Sequence, residues 1–452
     1  MSTTDHPLSP ALPDKSILET LVSDILAEAR RQGASAAEAA VNCGQALSVT
    51  VRLGEVETLE HHRSRGLGVT VYFDHRKGGA STADWSAEAV RATVQAACDI
   101  ARHTAADACA GLADPERLAR AIPDLDLDHP WALVTEAAIE RARECEDAAR
   151  ALDPRIANSE GASLASQRAL MVYGNSHGFL GGYASTRHSL SCAVIARSEE
   201  GDMQRDGWYT ISREPGALEP ASAVGRRAAE RALRRLGGRR LGTRQVPVLF
   251  VPEQARGLIG HFLGAIRGGA LYRRASFLLD RLGTAVFAPH IQLREEPHLL
   301  RALGSAPFDG EGVATRPRDL VRDGMLQGYL LDSYAARRLG METTGNAGGA
   351  HNVLLAPGTL DFPGLLRELG SGLVVTHLMG QGINLLTGDY SRGAAGFWVE
   401  NGEIQYPVEE ITIAGRLQDM FLGIRAVGAD VDRRGGIQCG SLLIERMTVA
   451  GQ

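Results

Sequence analysis

The chain has 452 residues, of which 44% are apolar and 23% charged, a balance that fits a globular protein of two or three domains rather than a disordered or fibrous one. Its 48 basic and 54 acidic residues leave a net charge of −6, which argues against a broad nucleic-acid-binding face. The six cysteines form no CxxC pair and no compact framework, so buried, reduced thiols in a cytoplasmic protein are expected.

Residues 1–15 have neither a basic n-region nor an apolar h-region and read as a disordered lead-in rather than a secretory signal. No later run reaches the roughly 18 apolar residues a membrane span needs. Ser16-Ile17-Leu18-Glu19 carries a capping-box pattern, and Leu18, Leu21, Val22, Ile25 and Leu26 give the helix it opens an apolar stripe, ended by Gly33. Strands are predicted over 46–53 and 66–73, with a turn at 75–79. Helices follow over 86–104, 115–121 and 135–152. Between Arg155 and Arg213 the texture changes to alternating strands (ALMVYGN, GFLGGYAS, SLSCAVIARS, DGWYTIS) punctuated by Gly, Ser and Asn, as in an antiparallel sheet. An Arg-rich helix over 220–236, whose basic face reads as solvated, closes this part.

Beyond it come the strand VPVLFVP, the helix EQARGLIGHFLGAI, an irregular loop through Arg301, and a hairpin, DLVRDGMLQGYLL, turning on Asp323-Gly324. A glycine-rich loop over 343–352 precedes the strongest local signal in the chain. There Asn401-Gly402 lies between GFWVE and EIQYP, supplying the two positive-φ residues of a type I′ turn. The strand SLLIERMTV ends the reading. The fold class is α+β, with an N-terminal α/β domain over 16–240, containing an antiparallel β segment at 155–213, and a β-rich antiparallel C-terminal domain over 241–452.

The residues bear on three kinds of chemistry. Gly174-Asn175-Ser176-His177-Gly178 matches GxSxG, but a nucleophile elbow needs a helix directly after the serine, and FLGGYAS alternates like a strand; a hairpin turn is expected. Of the 13 histidines, none is followed by glutamate and no two are three or four apart. His61-His62 diverge on any regular element, His290 and His298 sit in a proline-bearing loop, and a non-helical site from His351, His377 and Asp389 is left as an open alternative. The glycine-rich 379–382 and 343–349 match neither phosphate-binding pattern and have no lysine nearby, so tight turns or close backbone approach are expected.

Several blocks resemble the PmbA (TldE) branch of the TldD/PmbA peptidase family in the right order along almost the whole chain: GLADPERL, GALYRRASFLLDRLG, GSAPFDGEGVATRPRDLV, TTGNAGGAHN, GDYSRGAAGFWVENGEIQYPVEEITIAG and DRRGGIQCGSLLIERMTVAG. The resemblance implies a two-part α+β fold. In the TldD branch a helix carries HExxxH and a cysteine near the C-terminus completes the metal site. The comparable helix here, 258–266, holds only His261; the glutamate and second histidine are missing whichever way the register is set, and Cys439 lies further along than that ligand. The resemblance therefore implies a metal-free, non-catalytic subunit that pairs with a zinc-bearing TldD-type metallopeptidase subunit. The pair would be a cytoplasmic heterodimer processing or degrading extended or unfolded peptides, without nucleic acid or membrane. The glycine-rich loops 343–352 and 380–393 are expected to line the peptide channel or the subunit interface, with Tyr390, Ser391, Arg392, Asn346, Gly380 and Gly382 as contacts. A self-sufficient peptidase with an unrecognised metal or nucleophile, and a homodimeric peptide-binding or regulatory protein, are the alternatives.

Overall fold

In a computed structural model residues 12–451 are described; most of the expected lead-in lies outside them. Asp14 caps α1 (Lys15–Arg31), its carboxylate accepting from the Ser16 N–H at 2.9 Å and the Ser16 hydroxyl at 2.7 Å, so the helix starts ahead of the capping box assigned to Ser16. The next two strands are far longer than predicted. β1 (Ala36–Arg52) and β2 (Glu55–Phe73) form one hairpin on Leu53-Gly54, both at positive φ. Alanine-rich 36–45 has little β propensity and 55–65 is polar, yet both are held by cross-strand pairing from Ala36↔Tyr72 to Arg52↔Glu55. β3 (Arg76–Thr82) precedes α2 (Ala87–His103), capped by Ser86. Only a 3-10 turn, Pro115–Arg117, stands where a helix to residue 121 was expected.

α3 (Thr135–Arg150), β4 (Ile156–Asn175), β5 (Leu180–Arg197), β6 (Met203–Ser212) and α4 (Ala221–Leu233) complete the first half. Its antiparallel sheet runs β3-β2-β1-β4-β5-β6. The odd-numbered residues of β1, from Ala37 to Val51, point to one face and are buried there except Gln45. α1 and α2 cover the first part of that face around Val41, Val69 and Val172, while α3 and α4 cover the far part around Val49, Leu164 and Val194.

The second half contains β7 (Arg244–Phe250), α5 (Pro252–Ala265), α6 (Gly268–Tyr272), β8 (Leu293–Glu295), β9 (Arg318–Arg322), β10 (Met325–Leu326), α7 (Ser333–Leu339) and β11 (Val353–Leu355). It continues with α8 (Phe362–Leu369), β12 (Gly372–Asn384), β13 (Asp389–Glu400), β14 (Glu403–Arg416), α9 (Leu417–Leu422), β15 (Ile424–Val427), β16 (Ile437–Gln438) and β17 (Leu442–Ala450). α6 and β8 lie inside the stretch predicted as an irregular loop. Asp323-Gly324 and Asn401-Gly402 turn their hairpins at positive φ, as expected. One sheet runs β10-β9-β8-β11-β16; the other runs β14-β13-β12-β7-β17-β15 and closes on itself where β14 pairs with β17. All pairs are antiparallel except β12–β7 and β11–β16. The chain is thus a mixed α/β protein built on antiparallel sheets. No helix among the described residues is long and apolar enough to cross a membrane.

The two halves meet around Tyr173, Phe179, Phe308 and Val313. Arg213 donates to the carbonyls of Ala302 and Leu303, both at 3.0 Å. Glu38 accepts from the hydroxyls of Tyr72 at 3.1 Å and Tyr173 at 2.8 Å. Glu311 approaches from the second half, where burial first, and then the Asp309 and Asp332 carboxylates, push its carboxyl up to about 7 against the 3.0 Å hydrogen bond it accepts from Ser333 N–H.

A carboxyl whose folded-state pKa exceeds its unfolded value stabilises the fold below the unfolded value, and that contribution is lost as pH rises through the folded one. Glu311→Gln removes this titration while retaining an acceptor. Urea unfolding should show the native chain losing about 2 kcal/mol relative to Glu311→Gln between pH 5 and pH 8. Parallel profiles for the two proteins would show that Glu311 is not held in this state.

Candidate functional site

α5 is the centre of the site. Pro252 at its first turn needs no N–H partner there, and Ala255, Leu258, Ile259 and Phe262 bury one side of the helix. A second stripe at i, i+4, i+8 and i+11, Arg256, Gly260, Gly264 and Arg267, lines a cavity of about 470 Å³ together with Gly349-Ala350 and Gly435-Gly436-Ile437. At Gly264 a Cβ would come within 3.2 Å of the Leu385 side chain, which would have to give by a few tenths of an ångström. The sequence reading placed a helix here but missed its Arg/Gly stripe, whose spacing is visible in RGLIGHFLGAIR.

The far wall of the cavity is pinned by Arg434. Its guanidinium pairs with Asp432 at 2.9 and 3.1 Å, donates to the Tyr209 carbonyl at 2.9 Å, and lies 3.7 Å from the Trp208 ring centroid. Arg256 donates to the Tyr209 hydroxyl at 2.8 Å and to the Arg434 carbonyl at 3.3 Å. Burial alone would raise Asp432, yet Arg434 beside it holds its carboxyl below the usual range. β6 of the first half, α5 and the loop before β16 are therefore tied through one arginine.

On another side of α5, His261 meets β13. Its ring stands 6.1 Å from that of Tyr390 at 63°. Tyr390 and Arg392 alternate inward on β13 while Ser391 points out and is exposed. The His261 Nε2, Tyr390 hydroxyl, Arg392 Nε and Gln418 Oε1 are buried and have no hydrogen-bond partner among the described residues. Burial, and then the Arg392 cation, push His261 below the ordinary histidine range, so its imidazole is neutral at pH 7. Burial likewise pushes Tyr390 up to about 12, with Arg392 opposing.

The other expected residues fall elsewhere. Asn346 is buried and saturated: its amide donates to Glu295 at 2.8 Å and the Gly349 carbonyl at 3.1 Å, while its oxygen accepts from Arg318 and Thr344, both at 2.7 Å. It fixes the glycine-rich loop that forms part of the cavity wall. Gly380 and Gly382 lie on β12 at a register shift against β13; a Cβ on Gly382 would come within 2.0 Å of the Ser391 carbonyl oxygen. Ser176 sits in the β4–β5 hairpin turn, not before a helix, and its hydroxyl accepts from the Ala37 N–H at 3.0 Å. His351, His377 and Asp389 do not assemble, since among the described residues no group of three or more His, Cys, Asp or Glu could hold a metal ion. Cys439 is buried against the Pro252 carbonyl at 3.8 Å, and burial pushes its thiol up to about 12.

If His261 is aligned with the second histidine of HExxxH, Arg256 stands where the first histidine would be and Gly257 where the glutamate would be. A zinc ion does not fit this set. It offers one imidazole, no carboxylate, and a guanidinium beside that imidazole.

A chain with a long-stranded α/β half followed by a closed β half around such a helix has the architecture of the TldD/TldE-type proteins. Profiles described as PmbA/TldA metallopeptidase domain 1, central domain and C-terminal domain match residues 37–101, 128–236 and 243–451. Metalloprotease PmbA of Escherichia coli O157:H7 is 53% identical over 97% of both chains, and a Metalloprotease PmbA homolog of Haemophilus influenzae is 49% identical over 96% of both. TldE from Thermococcus kodakarensis superposes with a TM-score of 0.84 over 95% of this chain and 100% of that one; at 20% identity it supports the fold alone. The chain belongs to the PmbA branch of the TldD/PmbA family.

The proximity of Arg392 to His261 is directly measurable. Arg392→Gln removes the cation that disfavours the imidazolium, so the His261 titration midpoint, followed by NMR of the ring, should rise. An unchanged midpoint would separate the two side chains.

Proposed function

We propose that this chain is the metal-free subunit of a two-component cytoplasmic peptidase, paired with a zinc-bearing TldD-type subunit and acting on extended or unfolded peptides. The observation that carries this reading is the setting of His261. The helix that bears HExxxH in the metal branch persists here, but a cation stands beside its remaining histidine, and Arg256 and Gly257 replace the other two positions. Family membership supplies the peptidase context.

The role left for the chain is to close and shape the chamber in which the partner's zinc acts. The loop 343–352 contributes Gly349 and Ala350 to the cavity along α5. The β12–β13 hairpin sets Leu385 against Gly264 and exposes Met379 and Leu386. Exposed apolar side chains on a hairpin suit a subunit contact, and glycine-lined strands allow an extended peptide to approach the backbone closely. Tyr390 and Arg392 carry buried polar atoms that such a peptide or subunit could satisfy, at a gain of about 1–3 kcal/mol for each group paired.

Elemental analysis of the full chain purified alone should find far less than one zinc per chain. One zinc per chain would make it a self-sufficient metalloenzyme and overturn the proposal. Mixed with an HExxxH-bearing relative, the chain should support peptide cleavage that neither shows alone. Arg392→Ala should lower that cleavage by roughly tenfold, the worth of one charge-assisted hydrogen bond, with the unfolding transition retained. Full cleavage by the variant complex would remove Arg392 from the role.

A further inference from the structure

The first sheet holds a larger cavity that the peptidase reading does not use. Between the part of its face covered by α1 and α2 and the part covered by α3 and α4, two successive rungs of side chains remain. One is His61–Leu47–Ser166–His188 and the next Arg63–Gln45–Arg168–Thr186, each crossing β2, β1, β4 and β5 in register. The loop 130–133 borders them, and the space enclosed is about 610 Å³, the size of a small-molecule site.

Its polarity is one-sided. Arginine and histidine line it, and aspartate and glutamate do not. Arg168 is already neutralised: it pairs with Asp128 through bonds of 2.9 and 2.6 Å, which anchors the bordering loop. His188 is used as well, meeting the Ser166 hydroxyl at 2.9 Å and the His129 carbonyl at 3.0 Å. The Arg63 guanidinium has no ion-pair or hydrogen-bond partner among the described residues, and it lies on the part of β2 that β3 does not reach. Elsewhere the lining is apolar: Leu47, Leu133 and, toward the β5 side, Trp131, which stands edge-on to His188 at 5.4 Å and 90° and carries the Arg141 guanidinium at 5.2 Å. An uncommitted guanidinium in one cavity with an aromatic and aliphatic surface can recognise a carboxylate attached to a planar apolar body.

We propose that this cavity binds a small organic carboxylate, its charged end on Arg63 with His61 alongside and its body against Trp131, Leu47 and Leu133. The test is isothermal titration of the full chain with benzoate, with acetate and inorganic phosphate as comparators. Benzoate should bind saturably at one site per chain, more tightly than acetate. Arg63→Gln, on an exposed strand edge and harmless to the core, should weaken it by roughly tenfold or more, and Trp131→Leu should weaken it too. The proposal is overturned by the absence of saturable benzoate binding or by equal affinity in Arg63→Gln. Phosphate binding as tightly as benzoate would also overturn it, by reducing the site to a simple anion trap. None of these outcomes bears on peptide cleavage, so the two proposals stand or fall separately.

Discussion

The length of the strands in the first sheet sets much of the architecture. β1, β2, β4 and β5 have 17 to 20 residues, which at a rise of about 3.3 Å per residue gives roughly 60 Å of strand. The helices that cover them have 13 to 17 residues and are roughly 20–25 Å long. One helix pair cannot bury such a face, so two pairs share it, each with its own hydrophobic cluster. The cavity between them follows from that mismatch. So does the overhang at the tip of the β1–β2 hairpin, where Leu53, Val56 and Leu59 remain exposed. The end of the sheet opposite that tip, with Tyr173 and Phe179, is left to meet the second half of the chain.

In that second half, electrostatics rather than sheet geometry decide what the site can do. A zinc site needs anionic or neutral donors converging on one point, with the positive charge supplied by the metal. Around α5 the positive charge comes from the protein: Arg256 and Arg267 along one stripe, Arg434 across the cavity, Arg392 beside His261. Arg434 is the most constrained of these, since it satisfies Asp432, holds the Tyr209 backbone and lies on the Trp208 ring. A lysine there would keep the charge and lose the planar fork that makes all three contacts at once.

Much of this was legible in the sequence where a local rule acts alone. Asn401-Gly402 and Asp323-Gly324 must turn at positive φ, and they do; Ser86 caps α2; the serine of GxSxG, with strands on both sides, forms a turn. What failed to read were segments whose conformation is decided by distant partners. Residues 36–45 become a strand because 63–72 and the end of β4 pair with them on either side, and 55–65 because they pair with 43–52; nothing in their composition announces it. Asp14 outcompetes Ser16 as a cap because its carboxylate reaches two donors there. Asn346 looked like an available amide in a glycine-rich loop, but Glu295, Arg318 and two residues of its own loop consume all its hydrogen-bonding capacity. The family blocks leave open which of their residues contact anything.

The glycines of the β12–β13 hairpin narrow that question. A Cβ on Gly396 would sit 1.8 Å from the Val374 carbonyl oxygen, and one on Gly382 would sit 2.0 Å from that of Ser391. These residues are required by backbone packed on backbone at the register shifts of the hairpin, whether or not a peptide ever binds. Their glycine identity therefore argues for hairpin shape, and what the hairpin offers to other molecules is its side chains. Alternation divides these into Tyr390 and Arg392, turned toward His261 with polar atoms unpaired, and Ser391, Met379 and Leu386, turned outward. A substrate or subunit that engages both sets would have to wrap the hairpin, so the inward pair and the outward set should differ in what they control: pairing at α5 for the first, docking of a partner surface for the second.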